Sequence, residues 1–191
     1  MCPETLTLIA LGANLPSSSG RPADTVRAAL ARMIADPRMR VVAVSRFWRT
    51  PAHPTGSGPD YVNACAVLRT SLAPELLLAL LHEIEAALGR VRDGTRWGAR
   101  GIDLDLLAMQ GLVRPDADLQ AAWRRLSVPH QQAETPTTLI LPHPRLQDRG
   151  FVLAPLAEIA PGWTHPLTGR SVRQMLADLP REGLEGMTPD G

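Results

Sequence analysis

Apolar positions along the chain switch between two periods, and the switches mark its elements. Thr5–Leu11 (TLTLIAL) is an apolar run ending at Gly12-Ala13-Asn14-Leu15-Pro16, a strand breaking into a turn. After the loop at 17–20, Pro22 suits the first turn of a helix. Val26, Leu30, Met33 and Ile34 follow at helical spacing until Asp36-Pro37 stops it. Met39–Arg49, rich in valine and aromatic residues, predicts a second strand, and the Pro/Gly-rich Thr50–Asp60 a loop. Tyr61–Thr70 alternates, with Val62, Ala64, Ala66 and Leu68 on one face and Tyr61, Asn63, Cys65 and Val67 on the other. Pro74 opens a second helix whose Leu77, Leu80, Leu81, Ile84 and Leu88 form an apolar stripe, with Gly89 just past its end. Ile102–Leu106 alternates apolar and acidic residues. As a strand it turns Ile102, Leu104 and Leu106 to the core and puts Asp103 and Asp105 together on the other face, their Cα atoms about 6.6 Å apart.

Residues 5–109 thus spell β-α-β-β-α-β, the ferredoxin-like unit of the α+β class, with a mostly antiparallel sheet and both helices on one face. The loops at 50–60 and 90–101 are expected at one end of the sheet, near the acid pair. Residues 110–138 are polar and aperiodic, an excursion with a short helix around Leu119–Arg125. Val152–Ile159 and Ser171–Leu179 predict two further helices. One domain over 1–180 is expected, with 112–138 inserted in it and 181–191 a flexible, frayed tail.

Composition narrows the chemistry. A net charge of +1 argues against a nucleic-acid binder. All 20 basic residues are arginine, which excludes a P-loop and its phosphate-cradling lysine. Cys2 and Cys65 are too few for a disulfide framework. With no basic N-terminal region and no apolar run long enough to span a bilayer, a cytoplasmic protein is expected. Ahead of the acid pair lies a Gly-rich segment carrying Arg90, Arg92, Arg96, Arg100 and Trp97. Guanidinium forks match phosphate oxygens bidentately, and the Mg²⁺ that a carboxylate pair attracts often binds together with substrate phosphates. Acid pair and arginine loop together point to a metal–nucleoside triphosphate site; the bland alternative is a solvated edge strand whose charge the arginines offset.

At these residues the chain resembles the 6-hydroxymethyl-7,8-dihydropterin pyrophosphokinases of folate biosynthesis. The resemblance runs from about Thr5 to Leu179. It rests on Arg-Trp-Gly-x-Arg-x-x-Asp-x-Asp at Arg96–Asp105 and Pro-His…Arg-Gly-Phe at Pro142–Phe151, supported by Phe47–Pro51 and Asp60–Asn63. It implies the ferredoxin-like α+β core extended by C-terminal strands and helices to three layers, α/β/α. It also implies transfer of pyrophosphate from ATP to the pterin hydroxymethyl group, leaving AMP, with two Mg²⁺ ions held by Asp103 and Asp105. It further implies that Arg90, Arg92 and Arg100 clamp phosphates, that Trp97 closes over the substrates, and that His143 and Arg149 contact ATP. Tyr61 and Phe151 would sandwich the pterin while Asn63, with backbone from Thr50 and Pro51 to Ala52, reads its edge. The partners expected are ATP and the pterin, with no nucleic acid and no membrane, for a monomer or weak homodimer.

The chain departs from the family's pattern in three places. Ala13 stands where Gly-Ser-Asn is usual; Val128-Pro129-His130 imitates the Pro-His motif, although only His143 lies six residues before an Arg-Gly-Phe; and the spacing from the acid pair to that histidine is long. Two other classes fit parts of the pattern. A palm-type nucleotidyltransferase would release pyrophosphate rather than AMP, and a ferredoxin-like RNA-binding module would need stacking aromatics on its sheet.

Overall fold

The structure, a computed structural model, describes residues 4–190 apart from 53–57, 91–100, 128–129, 131–133 and 135. Strands β1 (Thr5–Ala13), β2 (Met39–Val44), β3 (Phe47–Thr50), β4 (Tyr61–Thr70), β5 (Asp103–Met109) and β6 (Thr188–Asp190) form one sheet. Its order is β5-β1-β4-β3-β6, with β2 also paired to β4, and each recorded pairing is antiparallel. Helices α1 (Pro22–Ala35) and α2 (Pro74–Ala87) cover one face; α4 (Gly150–Ile159) and α5 (Val172–Asp178) lie on the other. Helix α3 (Ala117–Arg125) sits in the excursion, capped by Asp116, whose carboxylate accepts from Leu119 N–H at 2.8 Å. This is the expected α+β, three-layer arrangement.

The alternation read from the sequence holds at the centre of the sheet. Ile9, Leu11, Val62, Ala64, Ala66, Leu68, Ile102, Leu104 and Leu106 pack with Val26, Leu30, Met33, Leu77, Leu81 and Ile84 of the first helix pair. Leu8, Cys65, Val67 and Leu107 face Val152, Leu153, Leu156 and Met175 on the other side. Each fully buried Leu or Ile contributes roughly 1.5–3 kcal/mol. Helices α4 and α5 cover only the Leu8–Val67 end of that second face. The end carrying Gly12, Asn63 and Asp103 is left to a cavity.

Several expectations are corrected. Ile34 is 65% exposed; Thr25, Val26, Ala29, Leu30 and Met33 make the buried stripe of α1. The single strand read over Met39–Arg49 is broken at Ser45-Arg46. The Ser45 hydroxyl accepts the Cys65 N–H at 2.9 Å, the Arg46 N–H donates to Glu158 at 2.9 Å, and the pairing slips from Val44↔Ala66 to Trp48↔Asn63. The tail expected to fray carries a 3-10 turn at Arg181–Leu184 and the edge strand β6, which pairs with Phe47–Arg49. Among the described residues no helix is long and apolar enough to cross a membrane.

Candidate active site

The uncovered floor of the sheet is built by register. Gly12 on β1 pairs with Asp103 on one side and Asn63 on the other, and Ala10 lies between Asp105 and Cys65. Small residues in the middle strand leave room above it. A Cβ at Gly12 would come within 2.6 Å of Asn63 Oδ1, so only glycine lets that amide lie across the strand. Asn63, 7% exposed, donates through Nδ2 to Thr50 Oγ1 at 2.7 Å, which fixes the amide at the β3–β4 end. Above this floor is a cavity of about 230 Å³ lined by Ala10, Leu11, Gly12, Thr50, Pro51, Tyr61, Asn63, Asp103, Asp105, His143, Arg149 and Phe151. Phe151 reaches it from the first turn of α4, and Tyr61 from the start of β4. A chamber with two aromatic rings, a fixed amide and the Thr50 hydroxyl suits a flat heteroaromatic ring with a donor–acceptor edge.

The two aspartates stand along one wall, each beside an arginine. Asp103 Oδ1 accepts from Arg90 Nη1, and the same nitrogen donates to Glu85 Oε1 and to Ile102 O at 3.3 Å. Glu85, 1% exposed on α2, also accepts the Leu104 N–H at 2.8 Å. One buried carboxylate therefore ties the helix both to the arginine and to the backbone of the acidic strand. Burial alone would lower the Arg90 pKa, but Asp103 and Glu85 outweigh it and hold it above its ordinary value. Asp105 Oδ2 accepts from Arg149 Nη1 at 3.2 Å, and that guanidinium also lies over the Phe151 ring, 5.6 Å from its centroid. Among the described residues no group of three or more His, Cys, Asp or Glu side chains is arranged to hold a metal ion.

A second, larger cavity of about 590 Å³ adjoins the first through Asp105, His143 and Arg149. Arg145 also lines it, and Leu78, Leu106, Trp123, Leu139 and Ile140 give it apolar walls. His143 is fixed by its backbone N–H to Leu107 O at 2.7 Å, and its Nδ1 accepts the Arg145 N–H at 3.1 Å, which leaves Nε2 to carry the proton. Burial, then Arg149 and Arg145, push its pKa well below the usual histidine value, so the ring is neutral at pH 7. Burial, then Arg149, also lowers the Arg145 pKa. A cavity lined by apolar side chains together with Arg145, Arg149 and His143 suits a nucleoside triphosphate.

Thr50, Pro51, Tyr61, Asn63, Asp103, Asp105, His143, Arg149 and Phe151 thus line one cavity. His130, the rival of His143, is exposed and bonded to Ser127. Arg90, expected to clamp phosphate, is turned to Glu85 and Asp103. Arg92, Trp97 and Arg100 lie outside the described residues. Sequence reading passed over Glu85, although it falls four residues after Leu81 on the apolar stripe, where a carboxylate is anomalous. Gly12, Gln120 and Trp123 carried no such signal.

The sequence profile of the 7,8-dihydro-6-hydroxymethylpterin-pyrophosphokinase family matches residues 8–161. A 2-amino-4-hydroxy-6-hydroxymethyldihydropteridine pyrophosphokinase of Methylorubrum extorquens is 37% identical over 181 residues, 95% of this chain and 98% of that protein. The Pseudomonas aeruginosa protein of the same name is 38% identical over 177 residues, 93% of each. A crystal structure of Plasmodium falciparum HPPK-DHPS with pteroate superposes with a TM-score of 0.64 at 12% identity, covering 91% of this chain and 42% of that one, a likeness of fold alone. The chain belongs to the 7,8-dihydro-6-hydroxymethylpterin-pyrophosphokinase family.

Proposed function

We propose that the chain transfers the pyrophosphoryl group of ATP to the hydroxymethyl oxygen of 6-hydroxymethyl-7,8-dihydropterin. Its family membership makes it a pyrophosphoryl-transferring enzyme of folate biosynthesis. In the step, the alcohol oxygen bonds to the β-phosphorus, the bond from that phosphorus to the α–β bridging oxygen breaks, AMP leaves, and the hydroxyl proton passes to solvent. The observation that carries this reading is the position of Asp103 and Asp105 on the wall of an aromatic chamber, with Asp105 also facing an arginine-lined slot.

The residues divide the work between two ligands. Tyr61 and Phe151 flank the pterin, Asn63 and Thr50 read its edge, and Pro51 closes that end. Arg149 and neutral His143 meet the phosphates where the cavities join, and Arg90 holds Asp103 in place. Arg92 and Arg100 at the phosphates and Trp97 closing over the substrates follow from the resemblance alone. Two carboxylates with no third protein ligand among the described residues suit Mg²⁺, which completes its shell with phosphate oxygens and water. Asp103 and Asp105 would hold two such ions, which when bound neutralise phosphate charge and make the hydroxyl more acidic. ATP as co-substrate and the free, buried Cys65 are in keeping with the cytoplasm.

Incubation with Mg-ATP and the pterin, followed by separation of the nucleotides, tests the reading. AMP and a pterin diphosphate should form in equal amounts. Release of pyrophosphate with a nucleotidyl product would overturn it in favour of attack at the α-phosphorus.

A further inference from the structure

Arg114 and Gln120 fasten the described part of the excursion to the segment that carries His143. Arg114 and Leu141 exchange backbone hydrogen bonds at 2.8 and 3.1 Å, just ahead of the Pro142-His143 pair. Gln120 on α3, fully buried, donates through Nε2 to Pro142 O at 3.1 Å. Three residues on, and so on a neighbouring part of the same helix surface, Trp123 enters the lining of the larger cavity. The same cavity is lined by Leu78, Leu106 and Leu139 and by Arg145 and Arg149, of which Arg149 is bonded to Asp105. With the phosphates at the arginines, the base of a bound nucleotide falls to the apolar walls, where an indole offers a π face.

We propose that Trp123 is a specificity-determining residue of this chain, contacting the base of the bound nucleoside triphosphate, and that the excursion serves to carry it there. This rests on the reading of the larger cavity as the ATP subsite. Base–aromatic contact is sequence-tolerant because every base has a π face, so it adds affinity for nucleotides generally over bare polyphosphate.

The test compares two probes by calorimetric titration in the presence of Mg²⁺: a non-hydrolysable ATP analogue and inorganic tripolyphosphate, which has phosphates but no base. Trp123→Ala should weaken the analogue about tenfold or more, about 1.4 kcal/mol, and leave tripolyphosphate within twofold. Trp123→Phe should stay within about threefold of the parent for both. Trp123→Leu, which keeps apolar volume and loses the π face, should follow Ala; the Phe and Leu pair decides the matter if the Ala variant does not fold. Equal binding of the analogue by Trp123→Leu and the parent overturns the proposal, as does an equal loss of both probes, which would make the indole a brace. Failure of the parent chain itself to bind the analogue defeats the underlying ATP reading instead.

Discussion

Glu85 provides the sharpest test of how the acid pair is held. Its carboxylate is 1% exposed and serves Leu104 N–H and Arg90 Nη1, while Arg90 reaches on to Asp103. A buried carboxylate is tolerated only where partners replace the water it has lost. Glu85→Ala leaves the buried Leu104 N–H without this acceptor, which costs about 1–3 kcal/mol. It also breaks a buried ion pair, for which the whole loss is about 3–5 kcal/mol, with the N–H included. Glu85→Gln retains an oxygen for Leu104 and loses the charge, so about 1–2 kcal/mol is expected. Urea denaturation read by circular dichroism gives both numbers. The site should feel the change as well, because the arginine that fixes Asp103 loses its own anchor. In Glu85→Gln, calorimetric titration of Mg²⁺ with the ATP analogue present should show roughly tenfold weaker binding, as when an outer hydrogen-bond partner of a metal ligand is removed. Combining Glu85→Gln with Arg90→Met should give non-additivity of about 1 kcal/mol or more. A Glu85→Ala protein within 1 kcal/mol of the parent, with unchanged Mg²⁺ affinity, would refute the chain of contacts from helix to strand to acid.

Three further predictions follow from other parts of the molecule. Asp105→Asn should lower AMP formation by at least about a hundredfold, more than loss of an outer-shell partner, while the melting temperature stays within a few degrees; near-normal turnover would refute its role. Gly150→Ala should destabilise the fold and weaken pterin binding. Its Cβ would sit 2.1 Å from Gly183 O, so either the tail turn or the start of α4, which carries Phe151, must move; a parent-like melt and pterin affinity would show that the tail does not press on this helix. His165 is fully buried, and burial, then Arg124, hold its pKa at about 4. The unfolded chain takes up this proton near pH 6.5 and the folded one only near 4, so its contribution to stability is complete above about 6.5 and drains away as pH falls toward 4, by at most about 1.4 kcal/mol per pH unit. Denaturation midpoints measured from pH 7 to 4 should fall less steeply in His165→Gln than in the parent, and parallel slopes would sink the assignment.

The chain's own periodicity determined a good deal. A period of two or of 3.6 states which face a residue takes within its own element, and that sufficed to turn Ile102, Leu104 and Leu106 inward. It also set Asp103 with Asp105, and Tyr61 with Asn63, on the opposite side of the sheet. The βαββαβ order was legible in the same way; the preference for His143 over His130 came instead from its spacing to Arg149-Gly150-Phe151.

What covers a face is settled by elements far away in the chain, and only the tertiary structure decided it. The Met39–Arg49 run breaks because Glu158, more than a hundred residues later, draws off the Arg46 N–H. Arg90 finds a carboxylate on the preceding helix, and the tail becomes a strand because β3 offers it an open edge. Helix α3 takes its place because Gln120 donates to the Pro142 carbonyl. Local pattern fixes direction; long-range contact fixes neighbours, and the chemistry of the site depends on both.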